Sequence, residues 1–245
     1  MTTASPGKPF LAAISMRMEP TWHTYWVNPG DSGIPPSIEW KLPPGWKAGP
    51  ILWPTPEKLE QGGLVSYGYE HEALLLIRLT PPANAEPGSS ADLKGLVSWL
   101  ICQRGCVPAS EQVEVKVSLG TETANQDWSA RLNGAEAVLP APATAELSAR
   151  IQGHSIVLNV ASTQTTSGAG ASFYPLDETV EPAAPQPVSE TKAGFQVDLK
   201  ISQFANGKII RLRGLLVPPK GVKLGDRPGA VVVDIPVNPG GEKSR

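Results

Sequence analysis

The chain has 245 residues, of which 18% are charged and 40% hydrophobic, with a net charge of -2. That balance excludes a basic footprint for nucleic acid or anionic lipid. No apolar run reaches the ~18 residues that span a bilayer, so no direct membrane insertion by this chain is expected.

Its 24 glycines and 26 prolines favour short strands and turns over long helices. The length allows two sandwich-sized domains. The first ten residues carry no apolar signal core, and Met1 to Gly7 read as an unstructured start. Trp22-His23-Thr24-Tyr25-Trp26 reads as an aromatic strand, with Trp22, Thr24 and Trp26 on one face and His23 and Tyr25 on the other. Its plain reading is core plus a tyrosine reaching for water; the sharper one has His23 or Tyr25 lining a dithiol pocket. Turn clusters follow at residues 28–33 and 43–45.

Leu64-Val65-Ser66-Tyr67-Gly68-Tyr69-Glu70-His71-Glu72 sets Tyr67 and Tyr69 on one face. It reads as a solvated hairpin edge or as an aromatic lid, with Glu70 or Glu72 able to move protons. Residues 73–79 read as a strand and 81–90 as turns. The apolar run at residues 96–101 leads into Cys102-Gln103-Arg104-Gly105-Cys106-Val107-Pro108. Residues 112–119 alternate with period two, the mark of a half-buried strand.

Residues 126–139 are rich in helix formers and are followed by a proline-rich stretch, which places a boundary near 122–142. Beyond it, residues 156–160, 195–201, 208–217 and 230–235 read as strands, and residues 240–245 as a frayed end. The expected organisation is all-β. A first immunoglobulin-like domain spans residues 1–125, a helical and proline-rich linker 126–143, and a second sandwich 144–245. The first holds both cysteines and six of the seven tryptophans, with Trp128 between the two.

Those two cysteines are the only ones in the chain. Four residues along an extended strand span roughly 13 Å, so a bond between them needs a turn, and Gly105 is the residue expected to permit it. Closing so short a loop removes only about 2 kcal/mol of unfolded-state entropy, against about 4 to 5 for a loop of a hundred residues. A redox pair is therefore favoured over a structural staple. Arg104, between the thiols, favours a thiolate. Cys102 ends a buried run, so Cys106 is the expected attacking sulfur. Metal ligation is the third reading: His23, His71 or His154 lacks zinc-type spacing, and a soft Cu(I) site on two thiolates is chemically reasonable. No Gly-x-Ser-x-Gly and no phosphate loop occurs, and Asp31 and Asp177 read as caps of turns.

Several stretches together resemble the N-terminal periplasmic region of the DsbD/ScsB family of transmembrane thiol:disulfide reductases. They are residues 22–33 from Trp22 to Gly33, Gly49-Pro50-Ile51 with Trp53-Pro54, Tyr67-Gly68-Tyr69-Glu70, and Val97-Ser98-Trp99-Leu100-Ile101-Cys102 with Cys106-Val107-Pro108. Phe173-Tyr174-Pro175 and residues 181–186 extend the likeness into the second half. The two-domain length resembles the ScsB-like branch, whereas the DsbD form spaces its cysteines further apart.

The resemblance implies two immunoglobulin-like sandwiches and a catalytic pair, Cys102 and Cys106, with no organic cofactor and no metal. It implies electrons taken from a membrane-embedded reductase domain of the same full-length protein and passed to periplasmic thioredoxin-like partners. A cap loop within residues 57–69 is implied to shield the pair. Tyr67, Tyr69, Glu70, His23, Tyr25, Trp99 and Arg104 are the pocket candidates. The membrane span and a thioredoxin-like domain are not in this chain, so it is not expected to complete a relay alone. The competing classes are a rigid binding module whose bridge pins a hairpin and a Cu(I)-binding module.

Overall fold

The computed structural model describes residues 2–121 and 126–240. Residues 122–125, at the start of the expected boundary segment, and the expected frayed end from 241 onward lie outside the described residues, as does Met1. The strands in chain order are β1 (Thr2–Ala4), β2 (Phe10–Arg17), β3 (His23–Gly30), β4 (Ser37–Lys41), β5 (Lys47–Leu52), β6 (Glu57–Gln61), β7 (Leu64–Glu70), β8 (Glu72–Thr80), β9 (Ser90–Cys102) and β10 (Cys106–Leu119). The helix α1 (Gln126–Ala137) follows. Then come β11 (Ala141–Pro142), β12 (Leu147–Gln152), β13 (Ser155–Ala161), β14 (Ser172–Pro175), β15 (Val188–Thr191), β16 (Gly194–Lys200), β17 (Arg211–Val217) and β18 (Val231–Asn238).

The all-β reading holds. Two compact units form: one from residues 1–29, 33–57 and 68–137, the other from residues 30–32, 58–67 and 138–245. In the first, a sheet ordered β1-β10-β9-β3, with β4 also on β9, faces a three-stranded sheet β2-β8-β5; the β7-β6 pair that continues that order belongs mostly to the second unit's residues. Ala4, Leu93, Val117 and Leu119 from one sheet meet Ile77 and Leu79 from the other, and Trp46 joins them. Inward residues at alternate positions of each strand explain why the apolar period is two. Helix α1 lies against this unit through Arg131 to Glu72 and Arg78 to Glu136. The hydrogen bond from Arg131, foremost, holds the Glu72 carboxyl below its ordinary range.

The second unit runs β14-β17-β18-β12-β13-β16-β15, with β11 also on β18. Its core alternates cleanly: Phe195, Val197 and Leu199 on β16 and Ile156 and Leu158 on β13 meet Leu212 and Leu216 on β17. The strand expected from residue 208 begins at Arg211, and the one expected at 230–235 runs on to Asn238. Gln186 binds both backbone groups of Phe173, so its side chain acts as one more rung beside β14. No described helix is long and apolar enough to cross a membrane.

Candidate active site

Strands β9 and β10 form a long hairpin in unbroken register, from Cys102 opposite Cys106 to Ser90 opposite Ser118. The two sulfurs are joined, with Cα atoms 4.1 Å apart. The register explains that closeness. Leu119 N donates to Ser89 O at 2.8 Å and Leu119 O accepts from Gly88 N at 2.7 Å. Odd-numbered residues of β10 therefore turn their backbone groups toward β9, and even-numbered ones away. Cys106 and Cys102 thus form a non-hydrogen-bonded pair, the kind whose side chains lie closest. Pro108 also faces away, so its missing N–H removes no bond from the hairpin.

The turn between the sulfurs corrects one expectation. Gly105 does not occupy the left-handed region, and a Cβ there would meet nothing within 4 Å. What organises the turn is Gln103: its N–H donates to Gly105 O at 3.2 Å, and its side-chain amide donates to Thr21 Oγ1 at 2.5 Å. Thr21 itself sits at φ 73°, a rare conformation for a β-branched residue. Nothing in the residue order signals that anchor.

The sulfurs differ in setting. Cys102 is 1% exposed, whereas Cys106 lies open on the hairpin. The Tyr25 hydroxyl donates to Cys102 Sγ at 2.8 Å and lies 3.7 Å from Cys106 Sγ. Rather than reaching for water, Tyr25 is buried, and that burial raises its pKa, so the proton stays on the oxygen. Gly33 makes room for the ring: a Cβ there would lie 2.3 Å from Tyr25 Cε1. Thr24 Oγ1 donates to Leu100 O at 3.1 Å, tying β3 to β9 just before the cysteine.

His23 lies opposite Cys102 in the β3–β9 register, and its ring meets Tyr25 edge-on with centroids 5.3 Å apart. Burial lowers its pKa, and the Glu70 carboxylate opposes that shift. Trp99 lines two grooves flanking the hairpin. Arg104 is exposed on the turn.

Tyr67 and Tyr69 are committed elsewhere. The Tyr69 hydroxyl donates to Pro54 O at 2.9 Å, and the rings of Tyr67 and Tyr174, both of the second unit, pack edge-on. Burial raises the pKa of both. Residues 57–69, expected to hold a cap loop, form the hairpin of β6 and β7. Asp31 accepts from Val65 N and Asp177 from Thr179 N, so both acids cap backbone groups. Among the described residues no cluster of three or more His, Cys, Asp or Glu side chains is placed to hold a metal.

An open disulfide at a hairpin end, with a buried tyrosine on its inner sulfur, is a site a family can be recognised by. Residues 1–118 match the family of the thiol:disulfide interchange protein DsbD, N-terminal part. The likeness to the DsbD/ScsB N-terminal region is borne out. The crystal structure of the N-terminal periplasmic domain of ScsB from Proteus mirabilis superposes with a TM-score of 0.70, over 98% of this chain and 92% of that one, at 18% identity. At that identity the match speaks for the fold, and it extends across both units. An endo-fucoidan hydrolase of glycoside hydrolase family 107 is aligned over 96% of this chain and 29% of its own, at 10% identity and a TM-score of 0.15, and carries no argument. No curated protein matches the chain.

Proposed function

We propose that the chain is a periplasmic thiol:disulfide exchange module working through Cys102 and Cys106. The observation that carries this reading is the pairing of one exposed and one buried sulfur, the buried one held by Tyr25, within a DsbD-type segment. Electrons arrive from a membrane-embedded reductase domain of the full-length protein and reduce the pair to two thiols. The Cys106 thiolate then attacks one sulfur of a thioredoxin-like partner's disulfide. A mixed disulfide forms, and the partner's other sulfur leaves as a thiolate. The Cys102 thiolate next attacks Cys106 Sγ, the mixed bond breaks, and the intramolecular disulfide returns. Two electrons and two protons have passed to the partner. Tyr25 serves by donating to Cys102 Sγ whenever it carries charge. No organic cofactor enters, since the sulfurs hold the electrons.

The test is the reduction midpoint of the pair, measured by equilibrating the protein with glutathione or dithiothreitol buffers and counting alkylated thiols by mass. A midpoint between roughly -180 and -300 mV supports exchange. A value well below that range makes the bridge a structural staple and the chain a binding module. Cys102→Ser should trap a partner through Cys106, and Cys106→Ser should trap none; the opposite pattern reverses the roles of the two sulfurs.

A further inference from the structure

The outer edge of β10 is unpaired beside the reactive sulfur. Among the described residues, β10 has β9 on one side and on the other only β1, which reaches no further than Val117. From Cys106 to Lys116 the second edge has no partner strand, and nearly every residue along it is exposed. By the register, the backbone groups aimed into that open side belong to Cys106, Pro108, Ser110, Gln112, Glu114 and Lys116. The row of free donors and acceptors therefore begins at the cysteine itself. An edge of this kind pairs with an extended chain, whose main-chain hydrogen bonds give affinity while side-chain pockets give selectivity.

A shallow groove of about 380 Å³ begins two residues along the hairpin from the sulfur pair, lined by Ile34, Pro35, Trp99, Leu100, Pro108 and small residues. No charged side chain lines it. Leu100 opposite Pro108 is the next same-face pair of the ladder after the cysteines.

We infer that an extended, apolar, cysteine-bearing segment of the protein being reduced adds to the β10 edge as a strand, in register with the Cys106 backbone, and places a side chain flanking its cysteine in this groove. The inference rests on the exchange reading above and adds a second substrate class to that site, a disulfide carried on an extended segment, beside thioredoxin-like partners whose reactive cysteine begins a helix. A second copy of the chain fits the edge less well. A two-fold pairing centred on the open stretch sets Glu111 opposite Glu111 and Pro108 opposite Glu114. That brings like charges together and leaves a donor missing.

The probe is an eight-residue peptide of alternating valine and threonine with one central cysteine, supplied as its mixed disulfide with glutathione. Its twin has alternate backbone amides N-methylated, so it cannot add to an edge. Glutathione disulfide is the reference oxidant. The reduced protein is expected to react with the plain peptide roughly tenfold faster than with the twin, the worth of one or two net hydrogen bonds. Ser110→Pro removes an outward donor and should erase most of that preference while leaving the glutathione disulfide rate unchanged, whereas Ser110→Ala, which alters the same groove-lining side chain but keeps the donor, should retain it. In Cys102→Ser, trapped with the plain peptide, the amides of Cys106 and Ser110 should exchange hydrogen more slowly than in the same variant trapped with glutathione.

Equal rates for the two peptides, with those amides unprotected, overturn the inference. Protection of the same amides in the free protein, together with a dimeric mass, gives the edge to a second copy and overturns it as well. If glutathione disulfide does not oxidise the pair at all, the exchange reading has failed first and takes this inference with it.

Discussion

The second unit closes a core of aliphatic and phenylalanine side chains, with Phe195, Val197 and Leu199 on one sheet set against Leu212 and Leu216. The first unit uses similar strands but buries three polar residues, His23, Thr24 and Asn28, along the single strand β3. Burying such groups is costly unless they are paired. Thr24 meets that cost at Leu100 O and Tyr25 meets it at the sulfur. The contrast teaches where chemistry enters a sandwich. A core that only has to cohere admits little more than small hydroxyls, here Ser66 and Ser202, whereas one that supports a reacting group accepts larger polar residues beneath it and leaves an adjoining edge open.

This comparison is sharpest under core truncation. Phe195→Ala should destabilise the second unit by about 3 to 5 kcal/mol in urea unfolding while the dithiol exchange rate holds; a matching fall in exchange rate would mean that the units do not act separately. Gly68→Ala tests the other side. A Cβ there would lie 2.0 Å from Thr24 O, against backbone that cannot yield, so the first unit should lose about 3 kcal/mol.

Tyr25→Phe keeps the ring and removes the donor from Cys102 Sγ. The reduced pair loses thiolate stabilisation, so the midpoint should move about 20 mV more negative, the equivalent of one net hydrogen bond. An unchanged midpoint would make Tyr25 a packing residue only.

His23 supplies a pH test. Its folded pKa lies below the unfolded value of about 6.5, so the unfolded chain binds the proton more readily. Its contribution to stability is complete above that value and falls away as pH drops through it toward the folded pKa. His23→Asn should therefore flatten the loss in urea midpoint between pH 7.5 and 5.5. The smallest effect belongs to Gly105→Ala, which should stay within about 0.5 kcal/mol because the position is neither left-handed nor crowded.

The alternating stretches were legible because period two needs only one wet face: residues 195–199 bury every second side chain as expected. The stretch at 112–119 was less faithful. Val117 and Leu119 are buried, but Val115 is 42% exposed, since the apolar face outruns the sheet that would cover it. The cysteine pair was legible from its spacing and its buried approach. The aromatic partner was harder to choose. Tyr25, Tyr67 and Tyr69 share one residue type and similar surroundings, and only the β3–β9 register brings Tyr25 to the sulfur. Strands β2 and β5 carry no clean alternation, because tertiary pairing rather than local pattern decides them, whereas β4 (Ser37–Lys41) and β12 (Leu147–Gln152) do alternate but run for only five and six residues.

All seven tryptophans, from Trp22 to Trp128, fall in the first unit and none in the second. Indole emission therefore watches one half of the molecule, while far-ultraviolet circular dichroism sums the strands of both. Recorded on the same sample, the two optical signals separate the melting of the sulfur-bearing half from that of its neighbour, with no need to cut the chain or attach a dye.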